Sequence, residues 1–224
     1  MWLGDVKKFM RIYYRAHFYK TYVGARGRYN GLKKYEEVYN SIMDRINDIN
    51  DAIIVTREEL NNNTVPEEYI PRNLQIPILN TIIELHKINE ERAYYDDFEL
   101  LPVSAVAIIV KGNGNIKNKF FGFNKMTPDF KDLEVFKEKF VGDFPKTVHA
   151  EVDAMYRVWR KYGNNGCDDC SLYLVVARNG HNILSRPCKY CRRMIVNTND
   201  EVGFKSVTFI YPMVEDLIVI EKFL

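Results

Sequence analysis

From Tyr35 to Ile53 the apolar side chains Tyr35, Val38, Ile42, Ile46, Ile49 and Ile53 recur at spacings of three and four, with charged residues between them. That period places them on one face of a helix. The stretch ahead, residues 5–22, also reads as helix and stops at Gly24-Ala25-Arg26-Gly27, so the two segments predict a helical hairpin. Asn61-Asn62-Asn63 and the prolines Pro66, Pro71 and Pro77 interrupt the pattern, and a helical period returns over Ile78–Tyr95 through Leu79, Ile82, Ile83, Leu85 and Ile88. These breaks set an expected boundary near residue 75, with a helical N-terminal extension over 1–75 and a second domain over 76–224.

Beyond residue 100 the texture changes. Val103–Val110 is rich in β-branched residues, Gly112-Asn113-Gly114-Asn115 suits a hairpin turn, and Ile116–Phe123 reads as the returning strand. Val148–Tyr162 is helix-like, Leu172–Ala177 is a wholly apolar strand, Cys188–Thr198 reads as helix and Ser206–Tyr211 as strand. Leu217–Phe223 alternates apolar and charged residues after a short connection, which predicts a closing strand paired with its predecessor. The order helix, two strands, helix, strand, helix, two strands is that of an α/β fold with a mixed β-sheet between helical layers.

The chain has 224 residues, 46% of them hydrophobic, enough for one sizeable core with a smaller appendage. Its net charge of +2 does not mark it as a polyanion binder, but nine cations face one acid, Asp5, over the first 35 positions. The longest apolar stretch, Val103–Val110, is far short of the ~20 residues a membrane-spanning helix needs. Met1-Trp2-Leu3-Gly4-Asp5 lacks the basic-then-apolar pattern that opens a secretory signal. The expectation is a protein of the cell interior, cytoplasmic and not secreted, with no membrane partner.

All four cysteines form two Cys-x-x-Cys pairs, Cys167/Cys170 and Cys188/Cys191, which in a reducing compartment points to metal or redox chemistry. His149-Ala150-Glu151 opens one expected helix and Pro187-Cys188-Lys189-Tyr190-Cys191 opens the next. Cysteines three apart on a first helical turn project to the same side, where the helix dipole favours thiolates. One imidazole and two thiolates supply three tetrahedral zinc ligands and leave a fourth position for water, which is the pattern of a catalytic zinc site. Glu151, two residues from a ligand, is placed to move protons to and from that water.

His149-Ala150-Glu151 with Pro187-Cys188-x-x-Cys191 resembles the cytidine and deoxycytidylate deaminase superfamily of zinc-dependent nucleobase deaminases. The resemblance spans roughly residues 78–224 and implies a three-layer deaminase-like core. It also implies hydrolytic deamination of a cytosine-type base by zinc-bound hydroxide, with His149, Cys188 and Cys191 as ligands and Glu151 as proton shuttle. Gly122-Phe123-Asn124 is similar to the family's Gly-aromatic-Asn, whose Asn contacts the sugar, and the backbone N–H groups of Ala150 and Cys188 correspond to those facing the base. Val148-His149-Ala150-Glu151-Val152-Asp153-Ala154 and Ser185-Arg186-Pro187-Cys188 look closest to a poorly characterised branch found in viruses and eukaryotes. The closing strand after Tyr211 differs from the further helices of polynucleotide deaminases, which favours a pyrimidine nucleoside or nucleotide as substrate.

Other readings stay open at this point. Two Cys-x-x-Cys pairs separated by seventeen residues fit a structural four-cysteine zinc site, although the apolar strand between them would carry the pairs to opposite ends of a sheet. Cys167 and Cys170 are then free buried thiols, a pair that oxidises, or part of a second metal site with His17, His86 or His181. The basic, aromatic N-terminal region could contact single-stranded nucleic acid, pack on the core, or pack on another subunit of a homo-oligomer or larger assembly. A deaminase-like domain kept as a structural or binding module, and a deaminase of single-stranded nucleic acid, are the competing functional classes.

Overall fold

The computed structural model describes residues 51–95, 102–126, 135–141, 147–178, 186–212 and 217–224. The expected helical hairpin, its basic surface and His17 fall outside the described residues, as does His181. The chain's compact units are 1–54 and 55–224.

The helix expected to run through Ile53 does not reach it, because Ala52–Thr56 forms strand β1. The run Ile53-Ile54-Val55-Thr56 is β-branched throughout, and such side chains are confined on a helix but fit a pleated strand. Thr56 then caps the short helix α1 (Arg57–Asn61), accepting from the Glu59 N–H at 3.1 Å while the Glu59 carboxylate accepts from the Thr56 N–H at 2.7 Å. Helix α2 spans Arg72–Tyr95 and starts earlier than the sequence pattern indicates, running through Pro77. Leu74, Ile78, Ile82 and Leu85 are fully or nearly buried along it, and that packing offsets the hydrogen bond Pro77 cannot donate. The buried Gln75 side chain fastens the preceding loop, bonding the Val65 N–H and C=O and the Ile70 carbonyl.

The remaining elements are β2 (Val103–Lys111), β3 (Ile116–Phe123), a short β4 (Lys125–Met126), a π-helical turn (Lys137–Val141) and a short β5 (Thr147–Val148). Helix α3 (Ala150–Tyr162), β6 (Cys170–Arg178), helix α4 (Lys189–Val202), β7 (Ser206–Pro212) and β8 (Leu217–Lys222) complete the order. The longer of these follow the sequence expectation, while β4, the π-helical turn and β5 are additions to it, and β5 takes Val148 from the expected start of the helix. Six strands form one mixed sheet in the order β1-β8-β7-β6-β2-β3, and β4 pairs with β5 separately. Strands β6 and β7 are parallel, as the crossover through α4 requires, while β2 pairs antiparallel with both β3 and β6. The closing strand pairs antiparallel with β7, Ile210 opposite Ile220.

Alternation along β3 assigns the layers. Phe120 packs edge-on against Tyr162 of α3 and Gly122 lies against the α3 backbone, whereas the Lys119 ammonium donates to Thr81 Oγ1 of α2 at 2.9 Å. Helix α2 therefore covers one face of the sheet and α3 the other. Strands β2, β6 and β7 are buried almost throughout, as strands covered on both faces must be. No helix among the described residues is long and apolar enough to cross a membrane.

Candidate functional site

His149 and Cys188 occupy equivalent positions, each the residue capping the start of a helix, His149 for α3 and Cys188 for α4. Both have extended backbone, and each carbonyl begins its helix by accepting from the residue four ahead, Asp153 at 3.0 Å and Arg192 at 2.9 Å. Neither side chain caps its own helix, so the imidazole and thiol are available to meet each other. Cys191 is on the first turn of α4 and fully buried.

The three donor atoms form a triangle. His149 Nδ1 is 3.6 Å from Cys188 Sγ and 3.3 Å from Cys191 Sγ, and the two sulfurs are 3.5 Å apart. Zinc–sulfur and zinc–nitrogen bonds of about 2.3 and 2.05 Å put tetrahedral S–S and S–N edges at about 3.8 and 3.6 Å. The observed triangle matches one face of that tetrahedron to within about 0.3 Å, so these residues fit a zinc ion. It is the only group of three or more potential metal donors among the described residues.

The three donor side chains differ in how tightly they hold a proton. The hydrogen bond with Cys191, joined by that with His149, lowers the Cys188 thiol to about 4 against its burial. Its neighbours move the other way: the hydrogen bond to Cys188 raises His149, and the same contact together with burial pushes Cys191 well above the usual thiol range. A metal held by these donors would take their lone pairs in place of protons. Glu151, 5% exposed on the first turn of α3, is raised above the ordinary carboxylate value by burial, with His149 acting in the opposite direction. The shift favours the protonated carboxyl, the form that can deliver a proton to a substrate.

Asn124 follows β3 and stands beside the start of α3. Its Oδ1 accepts the Ala150 N–H at 2.9 Å, so that N–H, expected to face a base, is directed to Asn124 here. The Asn124 carbonyl accepts from Arg92 Nη2 at 2.9 Å, and Arg92 also donates to the Val103 carbonyl at 3.1 Å and lies 5.1 Å over the Phe123 ring. Asp153, fully buried, accepts the Phe123 N–H at 3.1 Å and pairs with Lys125 at 2.9 Å. Gly122 lets these elements meet, since a Cβ there would overlap the Ala150 carbonyl and the Ala154 backbone. Arg92, Asp153 and Arg178, whose charge acts on both His149 and Glu151, escaped the sequence reading. A cation ending the otherwise apolar strand Leu172–Ala177 is the one signal that singles out Arg178.

Cys167 and Cys170 lie elsewhere. The Cys167 N–H donates to the Val202 carbonyl at the far end of α4, a helix of 14 residues that spans about 21 Å. The two Cys-x-x-Cys pairs are thus at opposite ends of one helix, and a single four-cysteine site is ruled out. Burial, and next the neighbouring Cys170, push the Cys167 thiol up to about 12. At pH 8 only about one molecule in 10,000 carries the reactive thiolate there. Iodoacetamide at pH 8 is accordingly expected to leave Cys167 unlabelled in the folded protein for hours and to label it within minutes in urea, as read by peptide mass spectrometry. Equal labelling rates would contradict the buried environment.

A family model described as the cytidine and deoxycytidylate deaminase zinc-binding region matches residues 83–206, which include Asn124, His149, Glu151, Cys188 and Cys191. Among solved structures, a cytidine deaminase from Burkholderia pseudomallei is similar at 19% identity over 63% of this chain and 91% of that one, with a TM-score of 0.37. No curated protein matches the sequence.

Proposed function

The chain belongs to the cytidine and deoxycytidylate deaminase zinc-binding family, and from that premise we propose that it hydrolyses the exocyclic amine of a cytosine-type base carried on a free nucleoside or nucleotide. The observation that supports this most is the combination of a tetrahedral triangle of donors, His149, Cys188 and Cys191, with the buried Glu151 on the adjoining helical turn. A metal kept only for stability has no use for a proton-transferring carboxylate beside it. Residues 76–224 carry this machinery.

His149 Nδ1 and the two thiolates would hold zinc, which would lower the pKa of a coordinated water to around 7 and so supply a nucleophile at neutral pH. Glu151 takes a proton from the attacking water and delivers it to the ring nitrogen of the base. It then carries the second proton to the departing amine, giving a uracil-type product and ammonia. Burial of Glu151 keeps bulk water away from these transfers and raises its pKa, which favours the protonated form that delivers the proton. The Cys188 N–H, at the start of α4, is the backbone donor for the base.

Asn124 already uses Oδ1 on the Ala150 N–H, which leaves Nδ2 to donate to a sugar hydroxyl. Asn124→Asp keeps the acceptor for Ala150 and removes the donor, so KM for the nucleoside is expected to rise about tenfold with the unfolding temperature nearly unchanged. Asn124→Ala removes both and is expected to cost a further 0.5–2 kcal/mol of stability, roughly the loss of a helix N-terminal partner. Identical kinetics for wild type and Asn124→Asp would remove Asn124 from substrate binding.

The reading as a whole is tested by ammonia release from a panel of cytidine and deoxycytidine nucleosides and nucleotides, with product identified by its ultraviolet spectrum. Turnover of any member supports it. A fully zinc-loaded protein inert toward all of them contradicts it.

A further inference from the structure

Glu221 sits near the end of β8, opposite Phe209 of β7, and is one of the few carboxylates buried inside the described core. Two guanidinium groups converge on it. Arg186 donates from Nε to Glu221 Oε2 at 2.8 Å and from Nη2 to Oε1 at 2.6 Å, a two-pronged fork in which both side chains are only 3% exposed. Arg192 brings its own Nη2 to 3.6 Å from the same Oε1, its guanidinium lying 4.7 Å over the Phe223 ring.

The positions of the two arginines give this arrangement its meaning. Arg186 is two residues before Cys188, and Arg192 directly follows Cys191, so a single carboxylate grips the ligand-bearing segment on both sides. The grip runs over a sequence separation of 35 residues, from the closing strand to the mouth of α4. A buried ion pair is a costly way to join a strand to a helix, because the desolvation of both charges consumes most of their attraction and apolar side chains of similar size hold such a joint as well. What an apolar joint cannot do is fix direction. The planar fork sets the plane of the Arg186 guanidinium, and with it the backbone entering Pro187 and Cys188.

We propose that Glu221 is a positioning residue for the metal centre: through Arg186 and Arg192 it sets the placement of Cys188 and Cys191, and hence the affinity and geometry of the metal they hold. This rests on the reading of His149, Cys188 and Cys191 as zinc ligands. Groups hydrogen-bonded to a metal's own ligands alter metal affinity by about 10- to 100-fold when removed, and the arginines act one step further out, through the backbone that carries Cys188 and Cys191. Glu221 acts only through the arginines and touches neither metal nor substrate in this scheme.

The test uses the whole chain. In the double variant Arg186→Met with Glu221→Met the charged fork is replaced by apolar side chains of comparable volume, a change that buried ion pairs commonly tolerate without loss of fold. Zinc affinity is measured by chelator competition, and site geometry by the visible absorption of the cobalt-substituted protein. The expected result is a wild-type unfolding transition in the metal-free state, zinc bound at least about tenfold more weakly, and cobalt bands shifted from their wild-type positions. Wild-type affinity and cobalt spectrum in a folded double variant would overturn the proposal. Should the double variant not fold, the less deeply buried partner, Arg192, 24% exposed, decides: Arg192→Gln is expected to weaken zinc binding several-fold with a shifted cobalt spectrum, and no change in either would equally overturn it. A wild-type protein that binds neither metal would instead defeat the reading of the zinc ligands, an outcome distinct from insensitivity of the variants.

Discussion

Glu151→Gln is expected to lower kcat by about 100- to 10,000-fold, the contribution of a positioned acid–base group, while zinc content and unfolding temperature remain those of the wild type. The amide has nearly the size of the carboxylate it replaces, and it neither accepts a proton from water nor delivers one to the base. Burial raises Glu151 above the usual carboxylate range, and the amide keeps a polar group of nearly the same size at that position. The assay is ammonia release under saturating substrate, with metal measured on the same sample. A variant that retains zinc and more than a tenth of wild-type turnover would show that proton transfer runs through another group.

Gly122→Ala is expected to be the most damaging single-methyl change in the core. The added carbon would meet the Ala150 carbonyl and the Ala154 N–H, with the Ala154 Cα 2.9 Å away, and all of these are backbone atoms of α3. Nothing there can rotate aside, so the helix must shift. Overpacking of a rigid neighbour costs about 3 kcal/mol, which in a chain of this size lowers the unfolding temperature by about 6–12 °C. The shift also moves His149 and Glu151, since both begin α3, so zinc affinity should fall with stability. Gly112→Ala is the matching control: the nearest atoms to its Cβ belong to the end of the Asp169 side chain, which can swing away. Equal unfolding temperatures for the two variants would contradict the close packing of β3 on α3.

Much of this site is legible in the sequence because its parts are local. His149-Ala150-Glu151 and Pro187-Cys188-x-x-Cys191 each span only the cap and first turn of a helix, and a capping residue and the residue three ahead of it lie close together by the local geometry of a helix start. The strands β2, β6 and β7 announce themselves by long β-branched or apolar runs, β3 by the hairpin turn ahead of it, and β8 by its alternation. The groups that hold the site in place are not local. Arg92 reaches Asn124 across 32 residues and Arg186 reaches Glu221 across 35, and no periodicity marks either end of such contacts. Helix periodicity also misjudged two boundaries. Ile53 fits the spacing of the preceding segment, yet the β-branched residues after it place it in β1. Pro77 looks like a terminator, yet α2 runs through it because the buried side chains on both sides outweigh one missing hydrogen bond.

The separation of the two cysteine pairs along α4 makes the central claim directly measurable. Metal content by mass spectrometry should give one zinc per chain for the wild type and for Cys167→Ser, and none for Cys188→Ser, with ammonia released from at least one cytidine or deoxycytidine compound by the two zinc-loaded proteins. Zinc lost equally from Cys167→Ser and Cys188→Ser, with no ammonia from any compound, would contradict a catalytic site built on His149, Cys188 and Cys191.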